Sequence, residues 1–221
     1  GAPNAKIVNS SPGQPDRVST SDIVDALAKP DGGVESVVQQ GNVVYVDKDL
    51  KAWGARARYT PDDEMLYLNG SPRVIQDGMS TTATAMRMNR GSGEAFADGN
   101  VKSTYNDLKQ QPTGGMFASS DPIHVTAQKM VSHHNPGVAT YSGKARLWQV
   151  ANVVEAPSIE FDRETRSVVA FGNIGEPVAT ALVQTDSEGK TTPVAITSDR
   201  LTYTDSERKA HFEGNVVARG Q

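Results

Sequence analysis

The sequence predicts an all-β fold of stacked antiparallel hairpins, and three observations carry that expectation. Glycines recur at a fixed interval, apolar residues alternate with period two between them, and a cluster of turn formers separates the alternating stretches. Gly41, Gly70, Gly99, Gly143, Gly172 and Gly214 lie 29, 29, 44, 29 and 42 residues apart. A repeated interval of this size marks a chain built from one recurring supersecondary unit.

Each repeat reads as strand, turn, strand. Eleven residues before the last five glycines stand Tyr59, Met88, Ser132, Phe161 and Tyr203. Two residues earlier come Ala57, Met86, Met130, Ile159 and Leu201, and three earlier again the small residues Gly54, Ala83, Ala127, Ala156 and Ser198. Residues two apart on a strand share a face, so each apolar pair lies on one side of its sheet. The next five residues (60–64, 89–93, 133–137, 162–166 and 204–208) are rich in turn formers. Alternation then resumes at Leu66/Leu68, Ala95/Ala97, Ala139/Tyr141, Val168/Ala170 and Ala210/Phe212, which gives the second strand. The small residue and the glycine both break the phase, and each is a natural place for a bulge or bend.

The two long intervals hold polar, turn-rich stretches at 106–120 and 180–192, which read as loop insertions. Residues 20–26 (TSDIVDA) parallel 197–203 (TSDRLTY) and make the start a degenerate copy with its turn at 30–33; the competing reading is a short helix at 22–29 capped by Ser21. Residues 1–17, with Pro3, Pro12, Gly13 and Pro15, read as disordered. The rest, 18–221, is expected to be one β domain of about six repeats.

Composition narrows the function. Hydrophobic residues make up 37% and aromatics 6% of 221 residues, enough for a lean core, and no stretch has the run of apolar residues that a membrane helix needs. The net charge of -4 and the lack of a Lys/Arg cluster argue against nucleic acid. With no cysteine, disulfide, thiol and zinc-thiolate chemistry are excluded together.

The last copy, 196–203 (ITSDRLTY) leading through 204–208 (TDSER) to Ala210, Phe212 and the Gly214-Asn215-Val216-Val217 run, resembles the OstA/LptA-like family. That family groups the periplasmic bridge proteins of lipopolysaccharide transport with their LptC-like companion. The resemblance covers about 18–221, recurs in every repeat, and departs from the family at the two insertions and at Ser132. It implies an elongated jelly-roll or V-shaped stack of two sheets in the periplasm, sheltering lipopolysaccharide acyl chains and joining proteins of the same fold, or further copies of itself, through strand edges. It implies no catalysis and no cofactor. The start at Gly1-Ala2-Pro3 reads as trimmed, with a leader or anchor removed.

On this reading the lipid-facing interior comprises Ala57, Tyr59, Leu66, Leu68, Met86, Met88, Met130, Tyr141, Ile159, Phe161, Val168, Leu201, Tyr203 and Phe212. Changing Phe161 or Tyr203 to Asp is expected to abolish lipid binding, and changing the turn residue Asp205 to Ala to spare it. A closed core would use the same fourteen positions, and the sequence leaves both open. Arg56, Arg58 and Arg87 flank the apolar positions and read as solvated outer-face charges that could meet lipid phosphates. His124, His133 and His134 do not have the setting of a metal site, since the last two fall in a turn. Asp62-Asp63-Glu64 lacks the sixth-position glycine of a calcium loop. Two other classes stay in view: a structural or adhesive module needing only open edges, and a carbohydrate-active solenoid of parallel coils, which would need a ladder of paired acids.

Overall fold

The computed structural model describes residues 5–10, 13, 15–106, 115–133, 137–185 and 191–220. The chain divides into two compact units, Gly1–Val101 and Lys102–Gln221. Among the described residues there is no helix, and the stretch at 22–29 contains the strand Ile23–Ala28 instead.

The N-terminal unit comprises β1 (Ala5–Asn9), β2 (Arg17–Ser21), β3 (Ile23–Ala28), β4 (Val34–Asp47), β5 (Leu50–Thr60), β6 (Met65–Asn69), β7 (Arg73–Gln76), β8 (Met79–Thr82), β9 (Ala85–Asn89) and the start of β10 (Glu94–Tyr105). Its long strands each serve two sheets. The first half of β4 pairs with β3 and its second half with β2; the second half of β5 pairs with β6 and its first half with β7. The strands thus form two half-sheets, β3-β4-β5-β6-β9-β10 and β1-β2-β4-β5-β7-β8.

The C-terminal unit repeats the plan with β11 (Ile123–His133), β12 (Val138–Gln149), β13 (Asn152–Asp162), β14 (Ser167–Phe171), β15 (Val178–Thr185), β16 (Thr191–Ser198), β17 (Arg200–Thr204), β18 (Lys209–Glu213) and β19 (Val217–Gly220). Its half-sheets run β11-β12-β13-β14-β17-β18 and β11-β12-β13-β15-β16-β19. A hairpin with one apolar face cannot bury that face alone, so in each unit successive hairpins stack with it turned inward. All of these pairings are antiparallel, which removes the parallel-coil solenoid.

The glycines mark where one half-sheet gives way to the other. Gly41 and Asn42 have φ of 75° and 47°, Gly214 and Asn215 of 69° and 46°. Two consecutive left-handed residues turn the strand sharply, and Gly and Asn tolerate that conformation best. The neighbouring chain clasps each bend in the same way. Asp22 N–H donates to Gly41 O and Asp199 N–H to Gly214 O, both at 2.9 Å. The Asn42 and Asn215 side chains donate to the Asp22 and Asp199 carboxylates at 2.8 and 2.9 Å. A β-carbon on Gly41 would collide with the Asp22 carboxylate and also meet a left-handed φ. Gly41→Ala is therefore expected to destabilise the protein by about 1–3 kcal/mol, and Gly220→Ala, in open space, to be neutral; equal melting temperatures for the two variants would refute the clasp. Gly172 does not follow the pattern: its segment forms a short loop closed by a bridge between Asn173 and Glu176.

Two sequence readings need correction. Within the stretch expected to be disordered, residues 5–9 form β1, paired in register with β2 from Ala5–Ser21 to Asn9–Arg17. The flanking prolines and glycine obscured a five-residue strand whose partner is the next strand in the chain. The stretch at 180–192 is mostly not a loop: β15 and β16 form a hairpin paired from Val178–Ser198 to Thr185–Thr191. Its threonines and Pro193 hid the alternation, and edge positions tolerate such residues. The tip at 186–190, residues 107–114 of the other insertion, and turn residues 134–136 lie outside the described residues.

Candidate functional site

A cavity of about 80 Å³ opens between the two half-sheets of the N-terminal unit. The β1 and β2 side contributes Ile7, Asn9, Arg17 and Ser19; β4, β5 and β6 contribute Val37, Gln39, Tyr45, Tyr59 and Leu66; Arg90, just past β9, completes the wall. Strand alternation places these groups inward. Ser19 and Gln39 are buried, and Gln39 donates to Ser21 Oγ at 3.2 Å, which keeps its amide satisfied.

One wall carries a charge cluster. Asp47, 4% exposed, accepts from Arg17 Nε at 3.2 Å and forms an ion pair with Arg90. Tyr45 donates its hydroxyl to the same carboxylate at 3.3 Å, and the Arg90 guanidinium lies 5.4 Å from the Tyr45 ring centroid. Burial raises the Tyr45 pKa, with Arg90 and Arg17 opposing it, and burial lowers that of Arg90. Arg90 Nε is buried without a hydrogen-bond partner among the described residues.

The C-terminal unit differs, because its own side chains occupy the interior. Tyr105 meets Phe161 edge to face at 4.8 Å, and its hydroxyl shares a 2.7 Å hydrogen bond with that of Tyr141. Met116 and Phe117, from the described end of the 106–120 insertion, are buried, with the Phe117 ring 5.6 Å from Tyr203. Polar anchors fix this segment: Met116 N–H donates to Tyr203 Oη at 2.8 Å, Arg166 to Phe117 O at 2.9 Å, Asn152 to Met116 O at 2.6 Å and Gln149 to Asp121 O at 2.6 Å.

Of the fourteen expected interior residues, Ala57, Leu66, Leu68, Met86, Met88, Met130, Tyr141, Ile159, Phe161, Val168, Leu201 and Tyr203 are buried, whereas Tyr59 and Phe212 are half-buried. Only Tyr59 and Leu66 line the cavity described above. Asp205, chosen from sequence as a neutral turn control, is 5% exposed and accepts from Tyr203 Oη at 2.5 Å, so its removal would strip a buried partner. Glu207 in the same turn is exposed and serves that purpose instead.

Arg56, Arg58 and Arg87 are exposed, with Arg87 stacked over Phe96. The arginines that line the cavity are Arg17 and Arg90. Nothing in the sequence sets them apart, since Arg90 sits in a turn and Arg17 at the edge of the supposedly disordered segment. Asp62 pairs with Lys29 at 2.6 Å, and Asp63 accepts from Thr60 Oγ1 and from Met65 N–H, which pulls its pKa down. Those acids thus tie the turn. His124 stacks on Trp148. Among the described residues no group of three or more His, Asp or Glu is placed to hold a metal ion.

No family model matches the chain, and no curated protein does. Among solved structures it is similar to that of LptH, the LptA-homologous periplasmic component of the lipopolysaccharide transport device from Pseudomonas aeruginosa, with 16% identity, a TM-score of 0.35, and coverage of 73% of this chain and 85% of that one.

Proposed function

We propose that this chain is a non-enzymatic periplasmic lipid carrier that shelters acyl chains of lipopolysaccharide or a related lipid between its half-sheets and hands them to proteins of the same fold. The observation that carries this reading is the cavity of the N-terminal unit, which opens between its two half-sheets and is lined in part by Ile7, Val37, Tyr59 and Leu66. Carriage of this kind needs an apolar lining rather than a nucleophile, and each sheltered methylene is worth roughly 0.8 kcal/mol. The edges fit assembly. Strand β3 exposes Ile23 and Leu27, the C-terminal segment exposes Val216 and Val217, and such edges recruit further strands.

A second reading, a structural or adhesive module without lipid, draws on the C-terminal unit, where Met116 and Phe117 already cover the apolar face. Photo-crosslinking separates the two. A photoreactive residue at position 59, with a control at exposed Glu207, is challenged with lipopolysaccharide and with lipid-free polysaccharide. The carrier reading expects an adduct at position 59 with lipopolysaccharide alone. Adducts at both positions or at neither favour the module.

A further inference from the structure

The charge cluster beside the cavity is unbalanced. Two guanidinium groups, Arg17 and Arg90, share the single carboxylate of Asp47, and Arg90 Nε faces no acceptor among the described residues. Holding an incompletely paired cation out of water is costly, and the cost falls when a second anion supplies charge-assisted hydrogen bonds. Arginine is the cation suited to this, because its planar fork matches phosphate and carboxylate oxygens. Beside the polar Asn9, Ser19 and Gln39, the wall carries an apolar and aromatic surface: Ile7, Val37 and Leu66, with the rings of Tyr45 and Tyr59. A free inorganic anion would have no use for that surface, and a neutral lipid none for the guanidiniums.

We propose that Arg17 and Arg90 form the head-group site for an anionic amphiphile, a phosphate or carboxylate attached to an acyl chain, with the carbons next to the head lying against Ile7, Val37 and Leu66. This rests on the carrier reading and narrows it to a class of lipid and to one unit of the chain. The size agrees: at roughly 10–15 Å³ of such space per water-sized group, a cavity of about 80 Å³ takes a head group with a few methylenes and not a whole chain. Arg17, with 39% of its side chain exposed, is the entry-side cation, and Arg90, at 13%, the inner one. Asp47 is a positioning residue that holds both guanidiniums at the wall.

Titration calorimetry on the full chain tests this with decyl phosphate, decanoate, decanol, decyltrimethylammonium and inorganic phosphate, using the unaltered protein and Arg17→Gln. That substitution leaves the Arg90–Asp47 pair in place. Decyl phosphate and decanoate are expected to bind at least about tenfold more tightly than decanol, and to lose about tenfold in Arg17→Gln while decanol is unchanged. Equal binding of all decyl compounds would overturn the head-group site and leave the carrier reading standing. Binding of none would overturn both. Inorganic phosphate binding as tightly as decyl phosphate would make this a site for free anions and overturn the amphiphile. If Arg17→Gln fails to fold, the comparison of heads on the unaltered protein decides the matter.

Discussion

Phe161→Ala is expected to destabilise the C-terminal unit by about 3–5 kcal/mol, and Phe212→Ala by about 1–1.5 kcal/mol. Both residues are phenylalanine on an inward phase, so the difference comes from surroundings. Phe161 is fully buried, sits between Ala139 and Val168 on the neighbouring strands, and receives the edge of Tyr105. Removing its ring leaves a hole that close-packed neighbours cannot fill, and the loss of an aromatic pair adds to the transfer cost. Phe212 lies on β18, opposite Leu201, and is half-exposed. The chain carries a natural reporter for each unit, Trp53 on β5 and Trp148 on β12. In a Trp53→Phe background, urea unfolding followed by fluorescence reads the C-terminal unit alone. Similar costs for the two variants would mean that the interior around Phe161 is already loosely packed, as a ligand groove would be, and would refute the filled core described above. The same packing changes the meaning of a charged substitution there: Phe161→Asp would remove lipid binding by unfolding the unit, whatever the protein carries.

The architecture was legible because its signals are local and redundant. Glycine spacing, turn composition and period-two alternation coincide at residues 162–171, where Asp162 accepts from the Glu164 and Thr165 amides and closes the turn between β13 and β14. Strands that lack one of these signals left no such trace. Strand β1 lies among prolines beside its partner β2, and the hairpin of β15 and β16 is seated by strands distant in sequence, β13 on one side and β19 on the other. The site was less legible for a related reason. Strand phase tells which side chains point inward but not what fills the space between them. Tyr59 and Tyr203 occupy equivalent positions in their repeats, yet one lines a cavity and the other is covered by Phe117. That difference is made by residues 116 and 117, in a stretch whose composition reads as loop, and by Arg17 and Arg90, which lie in a stretch and a turn that the repeat pattern does not place.

Alkaline titration gives the other large effect, and its sign follows from the buried tyrosines. Burial pushes Tyr141 up to about 12, with hydrogen bonds to Ser103 and Tyr105 working against it. Tyr105 is raised by burial and by Tyr141, and Tyr203 by burial and by the Asp205 carboxylate that its hydroxyl meets. Each is an acid whose neutral form the fold prefers. Below the unfolded pKa of about 10 both states are protonated and the contribution is fully present; above it only the unfolded chain releases protons freely, so stability is lost as pH rises toward the folded value. The expected loss for Tyr141 approaches about 1.4 kcal/mol per pH unit between about pH 10 and 12, and Tyr105 and Tyr203 add to it in the same direction. Arg17 and Arg90 oppose the rise at Tyr45, so the C-terminal unit should give way before the N-terminal one. Urea midpoints read from Trp148 at stepped pH, beside phenolate absorbance, measure this. Tyr141→Phe should flatten the slope by one tyrosine's share. A midpoint for the C-terminal unit that stays level across that range would mean that these hydroxyls ionise in the folded protein as they do in water, which the closed interior around Phe117 and Phe161 does not permit.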